Sequence, residues 1–280
     1  MGTHLDRNIS FIGGGNMAQA LIGGLLGRDV PPTRITVSDP VYEIQELLKE
    51  KDVNVTDNNF EAVTDADIIV LAVKPQLLAQ ILKPLAGKLQ SHQLVISIVA
   101  GAPVEVISQL LGGHERIVRV MPNTPALVQC GASGLYAPET VSAEDRDLAS
   151  KVLAATGLVI WVDTEKKIDA VTALSGSGPA YFFYLMEAMI QAGKNLGLDE
   201  KTASALTLQT ALGAAQMAIT SEHTPAQLRR NVTSPNGTTQ AAIETFDSYQ
   251  VSQHVQAALA AAEKRSETLA LELAERLNTL

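Results

Sequence analysis

One cysteine, Cys130, stands in 280 residues. A single thiol cannot close an internal disulfide, which excludes a disulfide-stapled scaffold and fits a reducing cytoplasm. No Cys/His motif surrounds Cys130, so it reads as a small core residue and not as a nucleophile. Aromatic residues are scarce at 4%, against abundant Ala, Leu and Val, which points to helices packed closely through small side chains. Positive charge is in deficit. With 21 Lys and Arg against 30 Asp and Glu the formal net charge is −9, and an acidic surface repels a phosphate backbone. Nucleic acid is therefore excluded as the expected partner, and an anionic ligand has to be held by local donors. No apolar run is long enough to span a bilayer, and Met1 to Asn8 is polar, unlike a secretory leader.

What is present is ample core material: 46% of residues are hydrophobic and 18% charged, enough for one large domain or two. Short apolar runs alternate with amphipathic stretches. Strands are expected at 8–12, 34–38, 53–56, 68–73, 94–99, 117–121 and 158–162, and helices at 16–26 and 42–51. Run 68–73 is continuously aliphatic, the mark of a strand buried on both faces, and 94–99 and 117–121 repeat the pattern apart from Ser97 and Arg119. Strands alternating with helices mean a doubly wound, mostly parallel sheet. After residue 163 the character turns all-helical, with helices expected at 181–196, 201–219, 239–246 and 251–277 and a break at Pro225. The expected division is residues 1–163, an α/β dinucleotide-binding domain, and 164–280, an all-α domain. The last helix carries Val251, Val255, Leu259, Ala262, Leu269, Leu273 and Leu277 at steps of mostly three and four. So long a stripe at the end of a helical segment points to a subunit interface and an intertwined dimer.

The first strand runs into Gly13-Gly14-Gly15-Asn16-Met17-Ala18, a G-x-G-x-x-A loop. Gly13 permits the tight turn and Gly15 lets backbone approach a pyrophosphate. Ala18 lets helix pack on strand, while the helix start supplies oriented N–H groups. Alone the motif is weak; after a strand, before a helix and at the head of a β/α pattern it is strong. Asp39, just past the second strand, sits where an acid would hold a ribose 2′-hydroxyl. Its neighbour Ser38 could donate to a 2′-phosphate with Asp39 turned outward, and the two readings stay open at this position.

Further segments carry polar chemistry at places where a doubly wound sheet opens to ligand. Ala72-Val73-Lys74-Pro75 ends the fourth strand, so Lys74 is either a cofactor or substrate contact or a solvated lysine before a helix. Met121-Pro122-Asn123-Thr124-Pro125 follows a later strand with neutral donors and acceptors. Ser175-Gly176-Ser177-Gly178-Pro179-Ala180-Tyr181 opens a long helix with small residues and a helix-starting proline. Asn231-Val232-Thr233-Ser234-Pro235-Asn236-Gly237-Thr238-Thr239-Gln240 is a turn leading into a helix start, where free N–H groups, the dipole and hydroxyls suit a carboxylate.

Together these segments resemble the pyrroline-5-carboxylate reductase family, in the family's order and over nearly the whole chain. The resemblance implies reduction of the cyclic imine 1-pyrroline-5-carboxylate to L-proline with NADP(H), NAD(H) serving as a possible second cofactor, and no metal. It implies a Rossmann domain followed by a helical dimerisation domain, with dimers that assemble in many members into pentamers of dimers. By the same resemblance Ser234, Gly237, Thr238 and Thr239 cradle the substrate carboxylate, and Thr239 meets the ring nitrogen as the catalytic contact. Thr172 and Ser177 line the substrate site. Gly13, Gly15, Asn16, Met17, Ala18, Ser38, Asp39, Asn59, Ala72, Val73, Lys74, Pro75 and Asn123 are the implied cofactor-side residues. Asn59 matches an asparagine that contacts the 2′-phosphate, whereas Asp39 departs from the serine or asparagine usual there. A charge at Asp39 pointing inward would weaken a bound 2′-phosphate.

Two rival classes fit the sequence less well. A β-hydroxyacid dehydrogenase needs a lysine as proton acceptor shortly after the second-domain glycines, but Phe182 stands four past Gly178 and the first lysine beyond it is Lys194. A non-catalytic NADP-binding sensor has no need of the carboxylate cradle around Thr239.

Overall fold

The computed structural model describes residues 5–278, with side chains to residue 275. The first four residues of the polar lead and the side chain of Leu277 lie outside that set. Eight strands form one sheet among the described residues: β1 (Ile9–Ile12), β2 (Ile35–Ser38), β3 (Asn54–Thr56), β4 (Ile68–Leu71), β5 (Leu94–Ser97), β6 (Ile117–Met121), β7 (Gly131–Tyr136) and β8 (Gly157–Trp161). Their order is β3-β2-β1-β4-β5-β6-β7-β8. Every pairing is parallel except β6 with β7.

Alternation along the strands feeds two apolar layers. In β4, Ile68 and Val70 join the layer containing Phe11, Leu21, Val37 and Val152, whereas Ile69 and Leu71 join the layer containing Leu78, Leu82, Val95 and Ile107. A parallel sheet covered on both faces must be aliphatic throughout, and all four β4 residues are buried.

Among the elements that the sequence pattern does not announce, three bear on the packing around the sheet and the helical segment. β7 reads Gly131-Ala132-Ser133-Gly134-Leu135-Tyr136, without the branched residues that announce a strand. Its small residues answer to packing: a β-carbon on Gly134 would lie 2.6 Å from Cγ1 of Val171. Pro225 opens a short helix, Pro225–Asn231, capped by the Thr224 hydroxyl, where only a break was expected. The third is a short helix, Lys167–Val171, that runs directly into a wide π-type turn, Thr172–Gly176.

The chain forms two compact units. One runs to Ser177 and resumes at Ala262; the other is Gly178–Ala261. Cα-level compactness thus divides the chain at different points from residue 163. The second part of the final helix, Val251–Asn278, belongs to the sheet-bearing unit, where Leu273 is buried in an apolar layer and Ser266 donates to Asp169 Oδ1 at 2.7 Å. The stripe expected on that helix therefore serves its own chain at Leu273, while Val255 and Leu269 stay exposed. Within Gly178–Ala261 only Gly178, Ala203 and Thr207 are buried. Phe182, Phe183, Tyr184, Leu196 and Ile219 are more than half exposed. Helices Gly178–Asn195 and Glu200–Thr220 pack against each other at Gly193 and Ala203, where a β-carbon on the glycine would come within 3.2 Å of the alanine.

A half-buried ion pair ties the helix Ala143–Ala154 to the start of β6. Arg116 donates to both carboxylate oxygens of Asp145, at 3.0 and 2.5 Å, and Ser142 donates to the same group at 2.9 Å. Burial pushes the Asp145 carboxyl up, but the hydrogen bonds from Arg116 and Ser142 outweigh it and hold the group below its ordinary 3.8. A depressed carboxylate contributes stability above the unfolded-state pKa and loses it as pH falls through the folded value. Asp145→Asn should therefore cost about 2 kcal/mol at neutral pH, because it leaves the partly exposed Arg116 without its charge partner. In denaturant melts the gap to the unaltered protein should begin to close below about pH 4. A gap constant with pH would show that the charge is not its source.

Candidate active site

The phosphate loop is built by β1, β4 and the helix Asn16–Leu26. Gly13 turns the chain at φ +99°, donates its N–H to the Ser38 carbonyl at 2.8 Å, and passes so close to β4 that a β-carbon would lie 2.6 Å from the Ala72 oxygen. Gly15 is the N-cap, and a β-carbon there would meet nothing within 4 Å. The first helical bond runs from Gln19 N to Gly15 O at 2.9 Å, so the amides of Asn16, Met17 and Ala18 precede the ladder. Ala18 itself is buried against the sheet.

Asp39 is committed to this loop. Its Oδ2 accepts from Gly14 N at 2.8 Å and its Oδ1 from Val41 N at 2.9 Å, with the residue 7% exposed. Gln19 braces the Gly14 carbonyl at 2.8 Å and Gln45 the Asp39 carbonyl at 2.7 Å. At the end of β2 the acid therefore points into the loop, and the Ser38 hydroxyl donates to Asn59 Oδ1 at 2.7 Å.

A cavity of about 850 Å³ lies over this corner. Gly13, Gly15, Ser38, Asp39, Asn59, Ala72, Val73 and Lys74 line it together. It also takes in Phe60, Leu77, Ile81 and Lys88, which sequence reading missed. These residues lie on separate pieces of chain, the helix Asn59–Thr64, the turn Pro75–Leu77, the helix Leu78–Leu82 and the turn at Lys88, so no local periodicity announces them. The Lys88 ammonium stands 5.2 Å from the Phe60 ring centroid, so Lys74 and Lys88 bring positive charge to a wall that also holds Asp39 and Asp57. Asn16, Met17, Ala18 and Pro75 are not among the lining residues; Pro75 begins the 3₁₀ turn Pro75–Leu77 behind Lys74.

Asn123 is also outside that cavity lining. Its carboxamide donates to the Ser175 carbonyl at 3.0 Å and accepts from Ala132 N at 2.8 Å. In the wide turn the Thr172 hydroxyl donates to the Ile168 carbonyl at 2.7 Å, and Ser177 N donates to the Thr172 carbonyl at 2.8 Å. Both Thr172 and Ser177 are half-buried.

The unit Gly178–Ala261 carries the remaining residues. The helix Thr238–Ser248 has Gly237 as N-cap, with no side-chain cap, after a turn in which Gly237 N donates to the Ser234 carbonyl at 3.0 Å. Asn236 takes the left-handed φ of +57°, and its N–H donates to Gln240 Oε1 at 2.8 Å. The turn and helix start group Ser234, Gly237, Thr238 and Thr239 in one short segment. Cys130, expected in the core, is exposed beside the left-handed Gln129.

Comparison with known proteins covers both units. A family model described as pyrroline-5-carboxylate reductase dimerisation matches residues 165–269, and one described as NADP oxidoreductase, coenzyme F420-dependent, matches residues 8–101. The chain is 53% identical over 268 residues to a pyrroline-5-carboxylate reductase of Pseudomonas aeruginosa, covering 95% of this chain and 98% of that one. To the Haemophilus influenzae protein of the same name it is 44% identical, covering 93% and 97%. The solved pyrroline-5-carboxylate reductase of Coxiella burnetii superposes with a TM-score of 0.91 at 44% identity, over 95% and 99% of the two chains. The Plasmodium falciparum pyrroline carboxylate reductase, solved with NADP bound, gives 0.81 at 30% identity, over 95% and 98%.

The Asp39 geometry yields a test that separates two roles. Asp39→Asn removes a charged acceptor from the loop amides and should weaken binding of the nicotinamide dinucleotides with and without a 2′-phosphate alike, by about tenfold. Titration of both by fluorescence checks this; a selective gain for the 2′-phosphorylated form would show that Asp39 reads the ribose instead.

Proposed function

The chain belongs to the pyrroline-5-carboxylate reductase family, and from that premise we propose which of its residues reduce 1-pyrroline-5-carboxylate to L-proline with NADP(H). It is an NAD(P)H-dependent oxidoreductase acting on a C=N bond, in proline biosynthesis. The observation that carries the residue assignment is a pair of helix starts, at Gly15 and Gly237, neither closed by a side-chain cap. Each is suited to one anion: a pyrophosphate at the first, a carboxylate at the second.

The loop fits the dinucleotide. The open space at Gly15 admits phosphate oxygens to the amides of Asn16, Met17 and Ala18, which no intrahelical acceptor takes up. Gly13 shapes that approach. Ser38 and Asn59 hold the 2′-phosphate, Asp39 keeps the loop rigid, and Ala72, Val73, Lys74 and Pro75 form the cofactor-side wall after β4. Lys74 offsets the chain's negative field locally. NAD(H), which needs no partner for a 2′-phosphate, serves as the second cofactor through the same loop. The bound dinucleotide supplies the hydride.

The substrate side is assigned to Thr172, Ser177, Ser234, Gly237, Thr238 and Thr239. The amides after Gly237 and the hydroxyls of Ser234 and Thr238 hold the carboxylate. The Thr239 hydroxyl meets the ring nitrogen, stabilising it as the C=N bond becomes an amine. A protonated imine is already electrophilic, so these groups need only orient it and match its charge.

Division of labour follows the chain: residues 1–163 hold the dinucleotide, and 164–280 serve substrate binding and dimerisation. The dimerisation model spanning 165–269 supports this, as does a helical unit with three buried residues and exposed Phe182, Phe183 and Tyr184. A dimer, assembled further into a pentamer of dimers, is the state in which those faces are covered. The lone thiol supports a cytoplasmic setting.

Following absorbance of the reduced dinucleotide with 1-pyrroline-5-carboxylate tests the assignment. Thr239→Ala should lower kcat/KM for the imine by about a hundredfold, leaving dinucleotide affinity intact. Full activity in that variant overturns the role given to Thr239. NADPH should be used with the higher kcat/KM and NADH appreciably; a strong NADH preference overturns the role given to Ser38 and Asn59.

A further inference from the structure

A helix carbonyl ordinarily accepts from the amide four residues on. For Ser175 that residue is Pro179, which has no N–H. The carbonyl sits in the wide turn Thr172–Gly176, where Ser177 N reaches back five residues to Thr172 O. Its donor comes from elsewhere in the sheet-bearing unit: Asn123 Nδ2, at 3.0 Å. Asn123 is 9% exposed, and its other end is fixed by Ala132 N of β7 at 2.8 Å. One buried carboxamide thus joins the segment after β6, the strand β7 and the wide turn. The fit is close, since a β-carbon on Gly176 would lie 2.6 Å from Cε of Met121.

We propose that Asn123 is a positioning residue that fixes the wide turn and acts on the reaction through Thr172 and Ser177, without touching the dinucleotide. This departs from a cofactor-contact role for Asn123 and rests on the reading that Thr172 and Ser177 face the substrate. The carboxamide suits the task because it offers a donor and an acceptor at once, so a buried carbonyl and a buried amide are both satisfied by one side chain. Leucine offers neither. Aspartate offers two acceptors when ionised, and sets a charge against the Ser175 carbonyl. When protonated it has the shape and the hydrogen-bonding pattern of asparagine.

The test compares Asn123→Leu and Asn123→Asp with the unaltered protein in imine reduction and in NADPH titration by fluorescence. Asn123→Leu should raise the KM for the imine about tenfold while NADPH affinity holds within about twofold. In Asn123→Asp the buried carboxyl titrates high, so activity relative to the unaltered protein should rise as pH falls from about 8 to 6. Burying that charge also destabilises the fold at high pH, so the ratio is read over the pH range in which circular dichroism shows Asn123→Asp folded; a rise within that range tracks the single proton and decides the matter even if the leucine variant does not fold. NADPH affinity falling in step with activity would make Asn123 a cofactor contact and overturn the proposal. So would an Asn123→Asp activity ratio flat with pH. An unaltered protein that does not reduce the imine overturns the functional reading instead, and this inference with it.

Discussion

Covering a parallel sheet on both faces leaves its polar chemistry at the strand ends. In this protein β4 is buried along its whole length, and what cannot be buried gathers where β1, β2 and β4 stop. The phosphate loop, the Ser38–Asn59 pair and Lys74 are all consequences of that placement. So is the burden on Asp39: a loop passing within a β-carbon's width of Ala72 has amides facing inward, and the carboxylate takes up Gly14 N and Val41 N there. The loop's precision is therefore held by a buried charge on the neighbouring strand end as well as by its glycines.

The legible parts of the sequence were those where burial demands one kind of residue. Ile68 to Leu71 and Ile117 to Met121 could only be strands covered on both faces, and Gly13 to Ala18 only a turn between strand and helix. β7 was hidden because Gly131, Ser133 and Gly134 are small for the sake of neighbours distant in the chain, such as Val171. Asp39 and Asn123 were visible as polar residues beside the crevice, but a side chain's partner is a matter of tertiary geometry. Both turned toward backbone amides of their own fold. The exposure of Cys130 follows from the left-handed turn at Gln129, which no local pattern announces. The short segment ending in Thr239 was legible as a structural unit because turn residues followed by a helix start are a local signal.

The two units manage apolar surface in opposite ways. The sheet-bearing unit buries Phe11, Leu21, Leu71 and their neighbours within itself. Helices Gly178–Asn195 and Glu200–Thr220 meet through small residues such as Gly193 and Ala203, which brings backbones close but encloses little. Large side chains such as Phe182 and Leu196 are left outward. Scarce aromatics and plentiful alanine, notable first as composition, are the chemistry of that second arrangement. Apolar area of this extent is stable in water only when another surface covers it.

The return of the final helix to the first unit bears on the order in which the molecule can mature. Leu273 and Ser266 leave the ribosome long after β8, yet one completes an apolar layer beneath the sheet and the other satisfies the buried Asp169. The sheet-bearing unit is begun early but stays unfinished through translation of the whole helical segment. Its closure is timed by a distant stretch of chain, so the sheet-bearing unit becomes complete only after Gly178–Ala261 has been made.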